Sequence, residues 1–263
     1  MMRTTLLMLV LLALIAGPVY ASSGEEQGTP IPVDPYSFVG DNPSNVAIFM
    51  DQLPWGSNAV AQVLQTYGVS YTVYNSGAMA TVDLSPFDKV IISSNQPDAF
   101  YWTLDANRTR FEDYMNSGGC MLLSVAAYFG LANEQITWPG GFGHYIGQGA
   151  NVVSIMEPGH PVFNDPLAVS SGDLQNWNYS SHGSFTNVPG GAVVTIENVD
   201  SLPGTPAAFD FCWGSGGGYA TAQPYDWVGA GNPYVVNIVL YTCGASPSPV
   251  ESTTWGAIKA LYE

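Results

Sequence analysis

The sequence predicts an α/β fold with an open, mostly parallel sheet, helices on both faces and a β-rich second half. Two observations lead to this prediction. Continuous apolar runs of strand length recur in the first half, and such runs are typical of strands that are covered on both faces. Segments with apolar residues at helical spacing stand between them, and this alternation is typical of parallel sheets with crossover helices.

The elements of the first half follow in the order strand, helix, strand, strand, helix, strand. Ser57 is a residue type that favours a helix N-cap, and Gly68 is typical of a helix end. The letters VSYTVY after this glycine alternate and are rich in β-formers, which indicates a strand. The predicted elements are a strand at 46–50, a helix at 58–67, a strand at 69–74, a strand at 88–94, a helix at about 98–115 and a strand at 120–125.

The second half of the chain has different patterns. Residues 129–150 are rich in glycine and aromatic residues, which predicts a long loop or an insertion. Between 152 and 222, β-rich runs separated by glycine and proline predict several strands. Pro233 then stands where a first helical residue is expected, and the dense apolar residues after it predict a buried closing helix.

The N-terminus has the features of a signal peptide, namely a short positive end, an unbroken apolar run at 6–16, a Gly-Pro break and small residues before Ala21. An apolar run of this length is too short to cross about 30 Å of hydrocarbon. We therefore expect cleavage after Ala21, a secreted protein (extracellular, periplasmic or cell-surface) and no membrane span after cleavage. The predicted organisation is a signal peptide at 1–21, a flexible lead-in at 22–44, an α/β domain at 45–243, and a linker with a short apolar tail at 244–263.

The charge and the spacing of polar residues exclude several classes of function. The chain carries 5 basic and 21 acidic residues, a net charge of −16 at pH 7. Nucleic-acid binding needs clustered Lys and Arg, so no nucleic-acid partner is expected. The histidines do not form an HxH or HExxH motif, and no CxxC pair exists. We therefore predict neither a metal site nor a cofactor.

Three cysteines and the tail each leave alternatives open. Cys212 and Cys243 each end a predicted element late in the domain, so a disulfide between them is one expectation in an oxidising compartment. The alternative expectation is that both of these cysteines stay reduced. Cys120 is expected to be a small buried hydrophobic residue. Four apolar tail residues share one helical face, and this segment either packs on its own domain or docks on an attachment system or a neighbouring copy. These tail residues are Trp255, Ile258, Leu261 and Tyr262.

The order of five stretches resembles secreted members of the class I glutamine amidotransferase-like group, close to trehalose-utilisation (ThuA-like) domains. The resemblance covers about 45–243 and implies a flavodoxin-like three-layer sandwich. The stretches are the opening strand with Met50-Asp51-Gln52, Asp88–Ser94, Phe111–Val125, Gly159–Phe163, and more weakly Gly216–Ala222 with a closing helix that contains Asn237.

Enzymes of this family place a catalytic Cys on a sharp turn after the strand that is 120–125 here, and a His and a Glu two apart complete their triad. This chain has Ser124-Val125-Ala126-Ala127-Tyr128 at that place, and Cys120 stands at the other end of the strand. None of the three histidines, His144, His160 and His182, is followed by an acid two residues later. The resemblance therefore implies a domain without amidotransferase chemistry.

In such sheets, ligands meet the carboxyl ends of the strands. By this analogy, the residues expected at a ligand edge are Asp51, Gln52, Ser94, Asn95, Tyr128 and His160. The His160-Pro161 turn also has a purely structural interpretation. Aromatic residues of the middle loops either stack on sugars or fill the core, and these are Trp138, Tyr145, Trp177 and Tyr179.

The leading functional hypothesis is an exported, catalytically inactive amidotransferase-like domain that serves as an extracellular or cell-surface binding or assembly module. One alternative is an extracellular hydrolase that acts on carbohydrate with carboxylates of the middle loops. Another is a subunit of a surface filament that docks through its C-terminal tail on the next copy.

Overall fold

The computed structural model describes residues 42–127, 130–147, 149–175 and 179–243. The predicted leader, most of the lead-in and the tail with its four apolar residues lie outside these ranges. The strands are β1 (Asn45–Phe49), β2 (Ser70–Tyr74), β3 (Lys89–Ile92), β4 (Cys120–Ser124), β5 (Gly143–Tyr145), β6 (Val153–Ile155), β7 (Ser184–Thr186), β8 (Val193–Asn198), β9 (Pro206–Trp213) and β10 (Gly216–Thr221). The helices are α1 (Ala59–Thr66), α2 (Asp98–Ala106), α3 (Arg108–Asn116), α4 (Leu131–Gln135), α5 (Tyr225–Val228) and α6 (Pro233–Leu240).

Eight strands form one sheet in the order β2-β1-β3-β4-β10-β9-β8-β6. The first five run parallel, whereas β9 is antiparallel to both of its neighbours and β6 is antiparallel to β8. The two remaining strands, β5 and β7, form a small antiparallel pair of their own. Strands β1, β3, β4 and β10 therefore begin at one edge of the sheet, here called the amino edge, and end at the opposite carboxyl edge.

Helices cover both faces of this sheet, which confirms the predicted three-layer, flavodoxin-like α/β sandwich. Alternation along β1 shows the two cores directly, because Ala47 and Phe49 face one and Val46 and Ile48 face the other. Helices α2 and α3 pack in the first core, and α1 and α6 pack in the second. Burial of both faces explains why the parallel strands are apolar throughout.

Two details of the predicted elements differ from the structure. The helix expected at 98–115 is two helices, because Asn107 (φ −110°, ψ 11°) departs from helical geometry and caps both α2 and α3. The expected long loop at 129–150 contains α4 and β5. No helix in the described part of the chain has the length and apolarity that a bilayer crossing requires.

Helix α6 returns the chain to the amino edge, where the ammonium group of Lys89 holds its end. Lys89 is fully buried and donates hydrogen bonds to the Ile238 carbonyl oxygen at 2.7 Å and to the Tyr241 carbonyl oxygen. Burial lowers the pKa of Lys89 to about 7, and the negative charge of Asp210 opposes this shift. Farther up the helix, the Asn237 amide binds the carbonyl oxygens of Val162 and Leu167.

The structure pairs Cys120 with Cys243, whose Cα atoms lie 5.2 Å apart. This corrects the expected disulfide between Cys212 and Cys243, and Cys212 is free and exposed. The reason is topological. Because α6 ends at the amino edge, Cys243 arrives beside the first residue of β4. Cys212 lies on β9, and β10 separates it from Cys120, since Gly217 of β10 pairs with both.

Candidate functional site

Gln96 joins the turn after β1 to the turn after β3 at the carboxyl edge. This buried amide accepts hydrogen bonds from the backbone N–H groups of Asp51 (2.7 Å) and Gln52 (3.1 Å). Its Nε2 donates to the carbonyl oxygens of Gln52 (3.0 Å) and Ser94 (2.7 Å). Gln52 in turn donates from Nε2 to the Asn95 carbonyl oxygen at 2.7 Å. The structure thus brings four of the predicted edge residues together, three through the Gln96 amide, which was not predicted, and Asn95 through the Gln52 amide.

Asp51 uses its carboxylate inside the fold. One oxygen accepts from the Ser76 backbone N–H and the other from the Ser76 hydroxyl, both at 2.7 Å. These bonds fix the chain that follows β2 against the end of β1. The Asp51 carboxylate therefore positions this edge.

A buried carboxyl group that the sequence analysis did not single out lies next to Ser94. Asp226 of α5 is 1% exposed, and Ser94 Oγ donates to its Oδ2 at 2.7 Å. Burial raises the pKa of Asp226 to about 7, and the hydrogen bond from Ser94 acts in the opposite direction. The neighbouring Tyr225 hydroxyl is bonded to Ser124 Oγ, so both residues that begin α5 are tied to strand ends.

The turn after β4 holds only aliphatic side chains at the three residues that follow Ser124. Val125, Ala126 and Ala127 are fully buried, and none of them has a positive φ. The Ala126 carbonyl oxygen accepts from the Asn95 N–H at 2.8 Å, which joins this turn to the turn after β3. The cysteine on this strand, Cys120, is held in a disulfide at the opposite edge.

His182 lies against this same turn. Its backbone N–H donates to the Ala222 carbonyl oxygen at 2.8 Å, and its Nδ1 is 3.0 Å from the Ala127 carbonyl oxygen. Burial lowers the pKa of His182, so the ring is neutral at pH 7. A carbonyl oxygen only accepts, so Nδ1 carries the proton and Nε2 is an acceptor.

Two aromatic rings meet His182 edge-on. The centroid of the Trp55 ring lies 5.2 Å from that of the His182 ring, with an angle of 66° between the ring planes. The corresponding values for Tyr179 are 6.3 Å and 68°. Trp227 follows Asp226 on α5, which packs against the Pro54–Gly56 turn. The exposed fractions of Tyr179 and Trp227 are 51% and 57%. The carboxyl edge therefore combines polar turns with a wall of aromatic residues.

Other predicted site residues lie elsewhere. His160 is in the second core, where its Nε2 is 3.5 Å from Asp210 Oδ2 and its ring meets Tyr241 near the amino edge. The structure does not bring it to the carboxyl edge. His144 is buried in β5 beside Phe185, and burial lowers its pKa to about 3. Tyr128 and Trp177 lie outside the described residues.

Two of the middle-loop aromatics have different environments. Trp138 is fully buried, and its Nε1 donates to Asn133 Oδ1 at 3.0 Å, so it belongs to the core. Tyr145 is about half exposed on β5. Within the described residues, no three His, Cys, Asp or Glu side chains lie close enough together to hold a metal ion.

No family model matches the chain. An uncharacterized protein of Clostridium acetobutylicum is 23% identical over 213 residues, which cover 78% of this chain and 21% of that protein. The chain therefore spans about a fifth of the length of this curated relative.

Among solved structures, a cytoplasmic protein from Salmonella typhimurium is similar at 11% identity with a TM-score of 0.49, over 76% of this chain and 99% of that one. A glutamine amidotransferase from Thermotoga maritima is similar at 12% identity with a TM-score of 0.45, over 68% and 74%. A β-galactosidase from Rahnella sp. R3 is similar at 15% identity with a TM-score of 0.46, over 73% and 30%. These TM-scores are below 0.5, so the fold is assigned here from the strand order and directions of the sheet itself.

Proposed function

We propose that this chain is an exported domain that binds a ligand at the carboxyl edge of its sheet and does not hydrolyse glutamine. The turn after β4 carries the proposal. Where an amidotransferase needs a thiol on a strained turn, this chain has the buried aliphatic residues 125–127. The edge around this turn nevertheless keeps His182, the Gln96 hydrogen bonds and exposed aromatic rings.

The disulfide supports the export part of the proposal. Disulfides persist in oxidising compartments and are rare in the cytosol, where thiols are kept reduced. Cys120 and Cys243 form one within the domain, and the chain starts with the features of a cleavable leader. Both observations favour a protein that folds after export to the periplasm, the cell surface or the medium.

Ser124, directly before this turn, is a candidate hydroxyl for the role of a thiol nucleophile. It is fully buried, and its Oγ is hydrogen-bonded to the Tyr225 hydroxyl. A nucleophile needs an adjacent base and an approach for the substrate, and Ser124 has a tyrosine hydroxyl as its partner. This arrangement supports a structural role for Ser124.

The test has two measurements on the full chain with its own leader. Expressed in a bacterium, the protein is expected outside the cytoplasm with a mass that corresponds to cleavage after Ala21. Incubated with glutamine, it is expected to release no ammonia above the protein-free blank, with an active amidotransferase as the positive control. Retention of the protein in the cytoplasm would contradict export. Ammonia release from glutamine that is lost in Ser124→Ala would contradict the proposal that the domain does not hydrolyse glutamine.

A further inference from the structure

Unusual backbone geometry is concentrated around the carboxyl edge. Within the described residues, the non-glycine residues with positive φ are Trp55 (52°), Asn95 (48°), Tyr179 (58°) and Asn187 (54°). The first three lie in the loops beside this edge. Asparagine tolerates this region, whereas a large aromatic residue there is strained, and such strain concentrates at ligand-binding sites. The backbone therefore holds Trp55 and Tyr179 in positions that their own preferences do not favour.

The His182 ring, which contacts both Trp55 and Tyr179, is held in place by hydrogen bonds. His182 is held through its backbone and its Nδ1 to the ends of β10 and β4, and both aromatic rings meet it at steep angles. Tyr179 keeps half of its surface exposed, and Leu53, just before the Trp55 turn, is 48% exposed. Exposed apolar surface on a rigid frame is typical of a pre-formed binding face.

The basic side chains in the described part of the chain are committed elsewhere, which argues against an anionic ligand. Of the 5 in the sequence, the described ones are Lys89, Arg108 and Arg110. Lys89 is buried at the amino edge. Arg108 pairs with Asp105 and Glu112, both at 3.5 Å, and Arg110 donates to the carbonyl oxygens of residues 79 and 82. With a net charge of −16, the protein repels phosphates and carboxylates.

Two carboxylates at this edge are bonded inside the fold, whereas Asp98, which begins α2, is exposed. Asp51 is bound by Ser76, and Asp226 is buried against Ser94. The groups around the two aromatic rings that the proposal uses are neutral, namely the Gln52 and Asn95 amides and the His182 imidazole. Such a set fits a ligand that offers hydroxyl groups for hydrogen bonding and flat C–H faces for stacking.

We propose that the carboxyl edge binds a neutral carbohydrate, with Trp55 and Tyr179 stacking on sugar faces and the neighbouring amides binding sugar hydroxyls. This proposal rests on the proposed function, because it names the ligand class for the same edge. It involves no bond-breaking step, and it assigns no catalytic role to Asp226.

The test is isothermal titration of the full chain with neutral hexasaccharides of glucose, xylose, mannose and N-acetylglucosamine. Choline and inorganic phosphate are titrated as the cationic and the anionic comparison ligand. Trp55→Leu and Tyr179→Leu keep the same backbone requirement but remove the ring, and Tyr179→Phe keeps the ring. Trp102→Leu is the matched control, because Trp102 is similarly exposed (46%) on α2.

We expect one or more hexasaccharides to bind, with affinity reduced about tenfold by either ring deletion and unchanged in Tyr179→Phe and Trp102→Leu. If Trp55→Leu does not fold, the exposed Tyr179 position still decides the outcome. The assignment is overturned when no hexasaccharide binds, when binding survives both ring deletions, or when only choline or phosphate binds. Export and glutamine hydrolysis are measured separately, so these outcomes leave the proposed function to its own test.

Discussion

The two edges of the parallel strands are built in different ways. At the amino edge, a disulfide joins the chain end to β4, and a fully buried Lys89 closes helix α6. At the carboxyl edge, polar side chains such as Gln96 hold the turns, and Tyr179, which has a positive φ, is half exposed. The amino edge is thus closed by a covalent bond, whereas hydrogen bonds hold the turns of the carboxyl edge. The exposed aromatic groups of the carboxyl edge are the surface that we propose as the functional one.

The largest expected effect is at the amino edge. The disulfide closes a loop with a sequence separation of 123 residues, so Cys120→Ser is expected to lower the free energy of unfolding by about 2–5 kcal/mol. Urea unfolding monitored by tryptophan fluorescence measures this loss. Cys212→Ser removes an exposed thiol and is the matched control, with an expected change within about 0.5 kcal/mol. Equal losses in both variants would contradict the assigned pairing.

The buried ammonium group of Lys89 at the amino edge is expected to make the free energy of unfolding rise with pH. Burial lowers the pKa of Lys89 from 10.5 to about 7, so the unfolded chain binds the extra proton between these pH values. The free energy of unfolding therefore rises with pH in this window, by at most about 1.4 kcal/mol per pH unit. Lys89→Met is expected to remove this slope in urea titrations at pH 7–9.5. A slope that persists in the variant would show that another group causes it.

The buried carboxyl group of Asp226 at the carboxyl edge is expected to make the free energy of unfolding fall as the pH rises. Burial raises the pKa of Asp226 from 3.8 to about 7, so the folded chain binds the extra proton between these values. The free energy of unfolding therefore falls as the pH rises from about 4 to 7, again by at most about 1.4 kcal/mol per unit. Asp226→Asn keeps an acceptor for Ser94 and is expected to flatten this part of the profile. An unchanged profile would contradict the buried, protonated state.

The smallest expected effect tests the amide that joins the edge turns. Gln96→Ala leaves the N–H groups of Asp51 and Gln52 without their acceptor, at an expected cost of roughly 1–2 kcal/mol. Hydrogen exchange is expected to speed up in the turns after β1 and β3 while β4 stays protected. Uniformly faster exchange across the whole sheet would show that Gln96 supports the fold globally instead of locally.

The parallel strands were predictable because their signal is local. A strand such as β4 is buried on both faces, so its own residues are apolar throughout. The antiparallel directions of β9 and β6 depend on pairing between distant segments, and the β-rich pattern of the second half carries no such information. The flavodoxin-like architecture therefore followed from the sequence, and the full strand order did not.

Part of the site was predictable for the same reason. Asp51 and Gln52 directly follow one predicted strand, and Ser94 and Asn95 stand at the end of another, and strand ends share an edge in a parallel sheet. Asp226 and His182 lie in irregular segments, and their roles arise from contacts with Ser94, 132 residues away, and Ala127, 55 residues away. The Cys120–Cys243 pair was missed because it depends on where α6 ends in space. Gln96 is the residue next to Asn95, one of the predicted edge residues, and was the nearest miss.

The carboxyl edge is the surface that we expect to meet a ligand. ¹⁹F NMR of the full chain labelled with 5-fluorotryptophan tests this most directly. The chain has 7 tryptophans, and single substitutions assign their resonances. On titration with the neutral hexasaccharides, the Trp55 resonance is expected to shift, while core Trp138 and Trp213, at the amino-edge end of β9, stay in place. A shift at Trp213 without one at Trp55, or no shift in any tryptophan, would contradict the account.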